Sequence, residues 1–216
     1  VETFSGIVQE SAAEVTFQKD VTIAAGLAAG TASTFNGDVK LDGLTFQSDG
    51  AVTFGSDDTD KLTLSGSAVT IQTTGAGDTL TVNAKVDGRQ DLILNTAAAA
   101  VFNAAVGSGT GTSIGDGDGA AITIQSAGTT TFEETVTTYS GIVQEGTAAE
   151  VTFKKDVTVA AGTGAGTPSA FNADVALDGL TFKSDGAVTF GSDASDQVTL
   201  STGAVRPPSF AVNLAS

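Results

Sequence analysis

Apolar residues along this chain come in short runs with one polar residue, most often threonine, between them. The runs include Val15-Thr16-Phe17, Val21-Thr22-Ile23, Val39-Lys40-Leu41, Leu44-Thr45-Phe46, Val52-Thr53-Phe54, Leu62-Thr63-Leu64, Val69-Thr70-Ile71 and Leu80-Thr81-Val82. Leu92-Ile93-Leu94, Ile122-Thr123-Ile124 and Thr131-Phe132 continue the series. A period of two is that of a strand with one face buried. Between the runs lie turn formers, SDG at 48–50, GSDDTD at 55–60, TTGAGD at 73–78 and GDGDG at 115–119. They recur roughly every eight to ten residues, as in an all-β protein. No helical stripe exceeds one turn; the alanine-rich segment 96–105 is broken by Val101-Phe102-Asn103 and has strand-like flanks.

An aromatic residue is followed four positions later by valine at Phe4/Val8, Phe17/Val21, Phe35/Val39, Phe102/Val106, Phe132/Val136, Tyr139/Val143, Phe153/Val157 and Phe171/Val175. A spacing of four suits one face of a helix. Here the aromatic closes one alternating run and the valine opens the next, with turn-like residues such as NGD, QKD or NAD between them. The reading is strand, tight corner, strand, with aromatic and valine both pointing inward.

The pattern is also duplicated. Residues 1–69 return as 136–205 with one inserted residue near Thr147, and 51 of 69 aligned residues are identical. Self-similarity on this scale marks an array of stacked units, whose usual work is to span distance or present surface. The chain divides into copy A (1–69), a linking β-repeat segment (70–135), copy B (136–205) and a terminal strand or cap (206–216), expected to form one continuous unit. Pro207 and Pro208 break the repeat, and Phe210-Ala211-Val212-Asn213-Leu214 reads as a last strand.

Composition narrows the chemistry. The 216 residues are 40% hydrophobic, and Val, Ile, Leu, Ala and 12 Phe build the core, because Trp, Met and Cys are absent and Tyr139 is the one tyrosine. No disulfide framework or thiol nucleophile exists. Without histidine there is no imidazole base, and with both gone the usual transition-metal ligands are missing. A net charge of −16 argues against nucleic acid as partner. No run of 18 apolar residues exists to span a bilayer. The lack of methionine suggests that something preceded Val1, a signal peptide being the economical reading.

Residues 86–136 resemble the β-strand repeats of large bacterial surface proteins of the autotransporter and filamentous-haemagglutinin kind. The resemblance rests on Val86-Asp87-Gly88 through Asn95-Thr96, on Val101-Phe102 through Val106, and on Ile122-Thr123-Ile124 through Phe132. It implies a right-handed parallel β-helix exported to the cell exterior as stalk, filament or adhesive surface. The expected fold is therefore all-β, a parallel β-helix (solenoid); the alternative is tandem β-sandwich modules with strand exchange. The expected function is a structural, extracellular one: a self-associating subunit or segment of a surface fibre, surface layer or adhesin stalk. Its expected partner is itself, end to end or by strand exchange, with a host or cell-surface ligand as a second. The alternative is a ligand- or carbohydrate-binding adhesin tip or a carbohydrate-active enzyme.

No catalytic or cofactor-binding residue stands out, and no enzyme activity is expected. Glu133-Glu134 and Asp57-Asp58 read as solvated turn residues, and Gly107–Gly111 lacks the lysine and helix of a phosphate cradle. The one ion considered is calcium, which takes six to eight hard oxygens. Asp57/Asp60 and their counterparts Asp193/Asp196 are the first candidates and Asp116/Asp118 the second, each in a glycine-containing turn before a strand. The turns are similar to the calcium-binding nonapeptide repeat but lack its paired glycines and strict period. Asp is also an ordinary turn former.

Overall fold

Each alternating run forms a strand, and each turn cluster bends the chain so that the next run starts a new face. The computed structural model describes residues 1–23, 31–108, 113–146, 148–159 and 167–201 and the backbone of strand Val212–Leu214. The first face is a ten-stranded sheet running through Glu2–Thr3, Val21–Ile23, Thr45–Ser48, Val69–Thr73, Leu92–Thr96, Ala120–Ile124, Gly141–Gln144, Ser169–Phe171, Val188–Phe190 and Val212–Leu214. The second, nine-stranded, runs from Val8–Gln9 through Ser33–Phe35, Val52–Phe54, Leu80–Val82, Ala100–Phe102, Thr130–Phe132, Val151–Phe153 and Val175–Asp178 to Val198–Ser201. The third has a four-stranded part (Val15–Phe17, Val39–Asp42, Lys61–Ser65, Lys85–Asp87) and a three-stranded part (Val136–Thr138, Val157–Val159, Phe182–Ser184). Single bridges from Val86 to Val106 and from Val106 to Val136 join the two parts.

Every pairing between strands is parallel, which identifies a β-solenoid and excludes the sandwich alternative. Among the described residues no helix is long and apolar enough to cross a membrane. The turns are unequal. Phe171 pairs with Phe190, a turn of 19 residues, whereas Leu94 pairs with Ile124, a turn of 30. The difference is absorbed at the corners, and in the longest turn also on the third face, which is reduced there to the single bridges at Val106.

The two sequence copies do not occupy the same faces. Val21–Ile23 lies on the first face and its counterpart Val157–Val159 on the third; Ser33–Phe35 lies on the second and Ser169–Phe171 on the first. Val39–Asp42 lies on the third and Val175–Asp178 on the second. The duplication is thus turned by one face, because the distance between copies is not a whole number of turns. The core is nonetheless reproduced. Phe35 stacks on Phe54 at 5.2 Å and 14°, and Phe171 on Phe190 at 5.2 Å and 12°. Phe17 meets Phe35 edge-on at 5.9 Å and 87°, and Phe153 meets Phe171 at 6.0 Å and 87°.

Six of the eight aromatic-to-valine corners bury both residues as the spacing predicts, from Phe17/Val21 to Phe171/Val175. The other two do not. Phe4 and Val8 are 81% and 62% exposed, and Tyr139 and Val143 are half-buried. In both places the inward position belongs to the next residue, Gln9 or Gln144. The reason is polar: Gln9 Nε2 donates to the carbonyls of Ala13 and Asp38, and Gln144 Nε2 to those of Ala149 and Asp174 at 2.8 and 3.1 Å. Each amide ties two corners of successive turns together: it gives the Ala13 or Ala149 carbonyl a donor and adds a second donor to the Asp38 or Asp174 carbonyl, which also accepts the N–H of Val15 or Val151. Segment 96–105 holds the strand Ala100–Phe102. Of the expected last strand, Val212–Leu214 is a strand; Phe210 and the rest of 206–211 lie outside the described residues.

Candidate functional sites

The GSDDTD turn shows what its acids do. Gly55, at φ +80°, starts it where a Cβ would meet Ala84 at 2.6 Å, so only glycine fits. Asp60 Oδ2 then accepts from the Ser56 N–H at 2.7 Å and the Ser56 hydroxyl at 2.8 Å. Asp57 Oδ1 accepts from the Thr59 N–H at 2.8 Å and its hydroxyl at 2.6 Å. The counterpart turn repeats this on a different corner: Asp196 Oδ2 takes the Ser192 hydroxyl at 3.0 Å and the Asp193 N–H at 3.1 Å, and Asp193 Oδ1 takes the Ser195 N–H at 2.7 Å. These bonds hold the carboxyl of Asp57, through Thr59, and that of Asp196, through the Ser192 and Asp193 N–H groups, below the usual carboxylate range. One oxygen of each of these four carboxylates is thus engaged by the turn's own donors. Among the described residues no group of three or more His, Cys, Asp or Glu is arranged to hold a metal ion.

The second candidate pair belongs to a different setting. Asp116 Oδ1 accepts the Asp118 N–H at 2.8 Å. The segment carrying them crosses the corner that precedes Leu92–Thr96, where the Gly115 N–H donates to the Gln90 carbonyl at 3.1 Å. Next to Gln90 is Asp91, whose Oδ1 is buried without a hydrogen-bond partner. Burial, with the Asp116 carboxylate second, pushes the Asp91 carboxyl up to about 6, and an N–H bond from Asp116 opposes the rise. One turn further on, the Tyr139 N–H donates to the Ile114 carbonyl at 2.7 Å, and the Arg89 guanidinium lies 4.4 Å above the Tyr139 ring. Three successive turns thus bring an arginine, the one tyrosine and three carboxyls to a single corner.

Asp91 escapes a sequence reading because RQDLIL resembles any strand entry; its burial comes from a segment some 25 residues later folding across it. A shallow polar depression of about 270 Å³ lies elsewhere, between Ala149, Glu150, Asp174 and Asp196. No protein family matches the chain, and no curated protein or solved structure is significantly similar to it.

Proposed function

We infer that the chain is a structural segment of an extracellular fibre, surface layer or adhesin stalk. The observation that carries this reading is the parallel ladder of the first and second faces, each of which runs as one sheet through copy A, the linking segment and copy B. Ten rungs at a strand spacing of about 4.8 Å make a rod of roughly 43 Å. Its rigidity comes from the ladder and the internal Phe, Val and Leu stack, while Thr, Asp and Ser keep the outside wet. The resemblance of residues 86–136 to bacterial surface repeats supports the extracellular placement. Self-association belongs to the same reading, since wherever such a ladder ends its last strands carry unpaired N–H and C=O groups that natural proteins pair, cover or charge.

Negative-stain imaging of the purified chain, with its mass measured in solution over a range of concentrations, tests this. Rods that lengthen with concentration are expected. A monodisperse monomer at high concentration refutes self-association by this chain, and a globular particle refutes the stalk.

A second reading has its own observation. The corner holding Arg89, Asp91, Asp116, Asp118 and Tyr139 offers an aromatic ring, a cation and several acceptors, the means by which an adhesin tip would hold a polyhydroxylated glycan. Glycan-array binding that Asp91→Asn and Tyr139→Ala both abolish would favour it. Calcium at the acid turns is a lesser part of the first reading, for one oxygen of each carboxylate already serves the turn itself.

A further inference from the structure

Asn36 and Gly37 form the corner between Ser33–Phe35 on the second face and Val39–Asp42 on the third. The same corner in copy B reads Asn172-Ala173. Packing explains the difference. A Cβ on Gly37 would lie 2.7 Å from the Ser11 carbonyl oxygen and 2.8 Å from the Ala12 Cα, backbone atoms of the turn beneath that cannot swing aside. Between Gln144 and Val151 the chain has one residue more than between their counterparts Gln9 and Val15, and Ala173 fits with 9% of its surface exposed. Close approach therefore selects glycine after Asn36 and leaves alanine free to follow Asn172.

We propose that this packing makes Asn36 a site of spontaneous deamidation through a cyclic imide, and that its counterpart Asn172 is spared. The Gly37 backbone nitrogen attacks Cγ of Asn36, and the side-chain nitrogen leaves as ammonia with the proton the backbone nitrogen gives up. A five-membered succinimide results. One water then opens the ring at either carbonyl, leaving aspartate or isoaspartate at position 36. No electrons change hands.

Glycine presents the attacking nitrogen without a neighbouring Cβ. The Asn36 side chain is exposed, and among the described residues neither its amide nor the Gly37 N–H has a hydrogen-bond partner. Asparagines stacked at the same corner are tied down: Asn83 Nδ2 donates to the Gly55 carbonyl at 3.1 Å, and Asn103 Nδ2 to Asn83 Oδ1 at 2.8 Å. The nitrogen following Asn83 is also engaged, on the Phe54 carbonyl at 3.2 Å. Isoaspartate would add a methylene to the backbone where the first turn is held to the second, between the Asn36 N–H bond to the Gln9 carbonyl and the Val15 N–H bond to the Asp38 carbonyl. The modification is thus a slow, irreversible loosening of the contact between the first two turns.

The folded protein is held at mildly alkaline pH and sampled over weeks. Tryptic peptides 20–40 and 156–183 then report positions 36 and 172 by mass and by chromatographic separation of isoaspartate. Acid and isoaspartate forms are expected to accumulate in peptide 20–40 while 156–183 keeps its amide. Asn36→Gln should stop the accumulation. Ala173→Gly, which only removes a methyl group, should start it at Asn172. An Asn36 that lasts as long as Asn172, or an Ala173→Gly chain in which Asn172 gains nothing, overturns the proposal.

Discussion

Phe17 and Phe153 are the same residue of the repeat in two packing situations, so truncating each to alanine measures one contact in isolation. Phe153 is fully buried and stacks on Phe132 at 5.1 Å and 6°, with Phe171 and Phe182 edge-on at 6.0 and 6.3 Å. Phe17 keeps the two edge-on partners, Phe35 at 5.9 Å and Phe46 at 6.0 Å, but among the described residues has no stacked ring, and it is 9% exposed. Removing a buried Phe costs about 3–5 kcal/mol. A stacked pair adds about 0.5–1.5 kcal/mol beyond its buried area, so Phe153→Ala should lie that far above Phe17→Ala. With a urea slope of about 3 kcal/mol/M for a chain of this size, the midpoint should fall by about 1–2 M in both variants, and further for Phe153→Ala. Urea titration followed by far-ultraviolet circular dichroism reads both shifts. Hydrogen exchange on the first turn separates local fraying near Phe17 from global unfolding. Unchanged midpoints would show these rings to be peripheral; a larger loss at Phe17 would refute the account of the stack.

Asp91 titrates at about 6 in the fold, above its unfolded value, so between those two pH values the folded state holds a proton that the unfolded chain has lost. Its contribution to stability is complete below the unfolded pKa and is lost as pH rises through 6; Asp91→Asn should raise the melting temperature at pH 7 and flatten this part of the profile. Asp57 and Asp196, with lowered pKa values, act in the opposite sense, and their contribution is lost as pH falls through those values. Calcium at the acid turns predicts a higher melting temperature in millimolar calcium than in chelator. Folded-state binding at a hundred times the dissociation constant adds about 2.7 kcal/mol, so equal melts would end that idea. No polysaccharide or peptide should be turned over; turnover abolished by changing one carboxylate pair would defeat the structural reading.

The strands were legible because each has one wet face, and a period of two survives even in three-residue runs such as Val52-Thr53-Phe54. The corners were legible wherever aromatic and valine both face the core. They failed at Val8 and Val143 because the inward position there goes to a glutamine whose amide donates to the corner carbonyls of Ala13 and Ala149, and hydrophobic patterning does not count carbonyls. The acid turns were recognised as turns, but their donors, Ser56, Thr59, Ser192 and Ser195, become visible only when the loop closes. Asp91 stayed hidden for a different reason: its environment is made by residues of a later turn, and local sequence does not specify which corner a loop will cover.

The duplicated sequence also carried no sign of which face each strand would join, and the structure explains why. Phe35 and Phe54 stack on the second face with the geometry that Phe171 and Phe190 adopt on the first. Near-identical packing on different faces means that the first and second faces are equivalent environments, so the sequence need specify only a strand and the corner after it. Such a solenoid can grow by single faces as well as by whole turns, and its turn length is free to range from 19 to 30 residues. Growth by faces rotates whatever a repeat displays. The Asp60 turn lies between the second and third faces, whereas the Asp196 turn lies between the first and second. A surface repeated in this way meets its surroundings from several directions with the same chemistry, which suits a member of an assembly better than a one-sided recognition site.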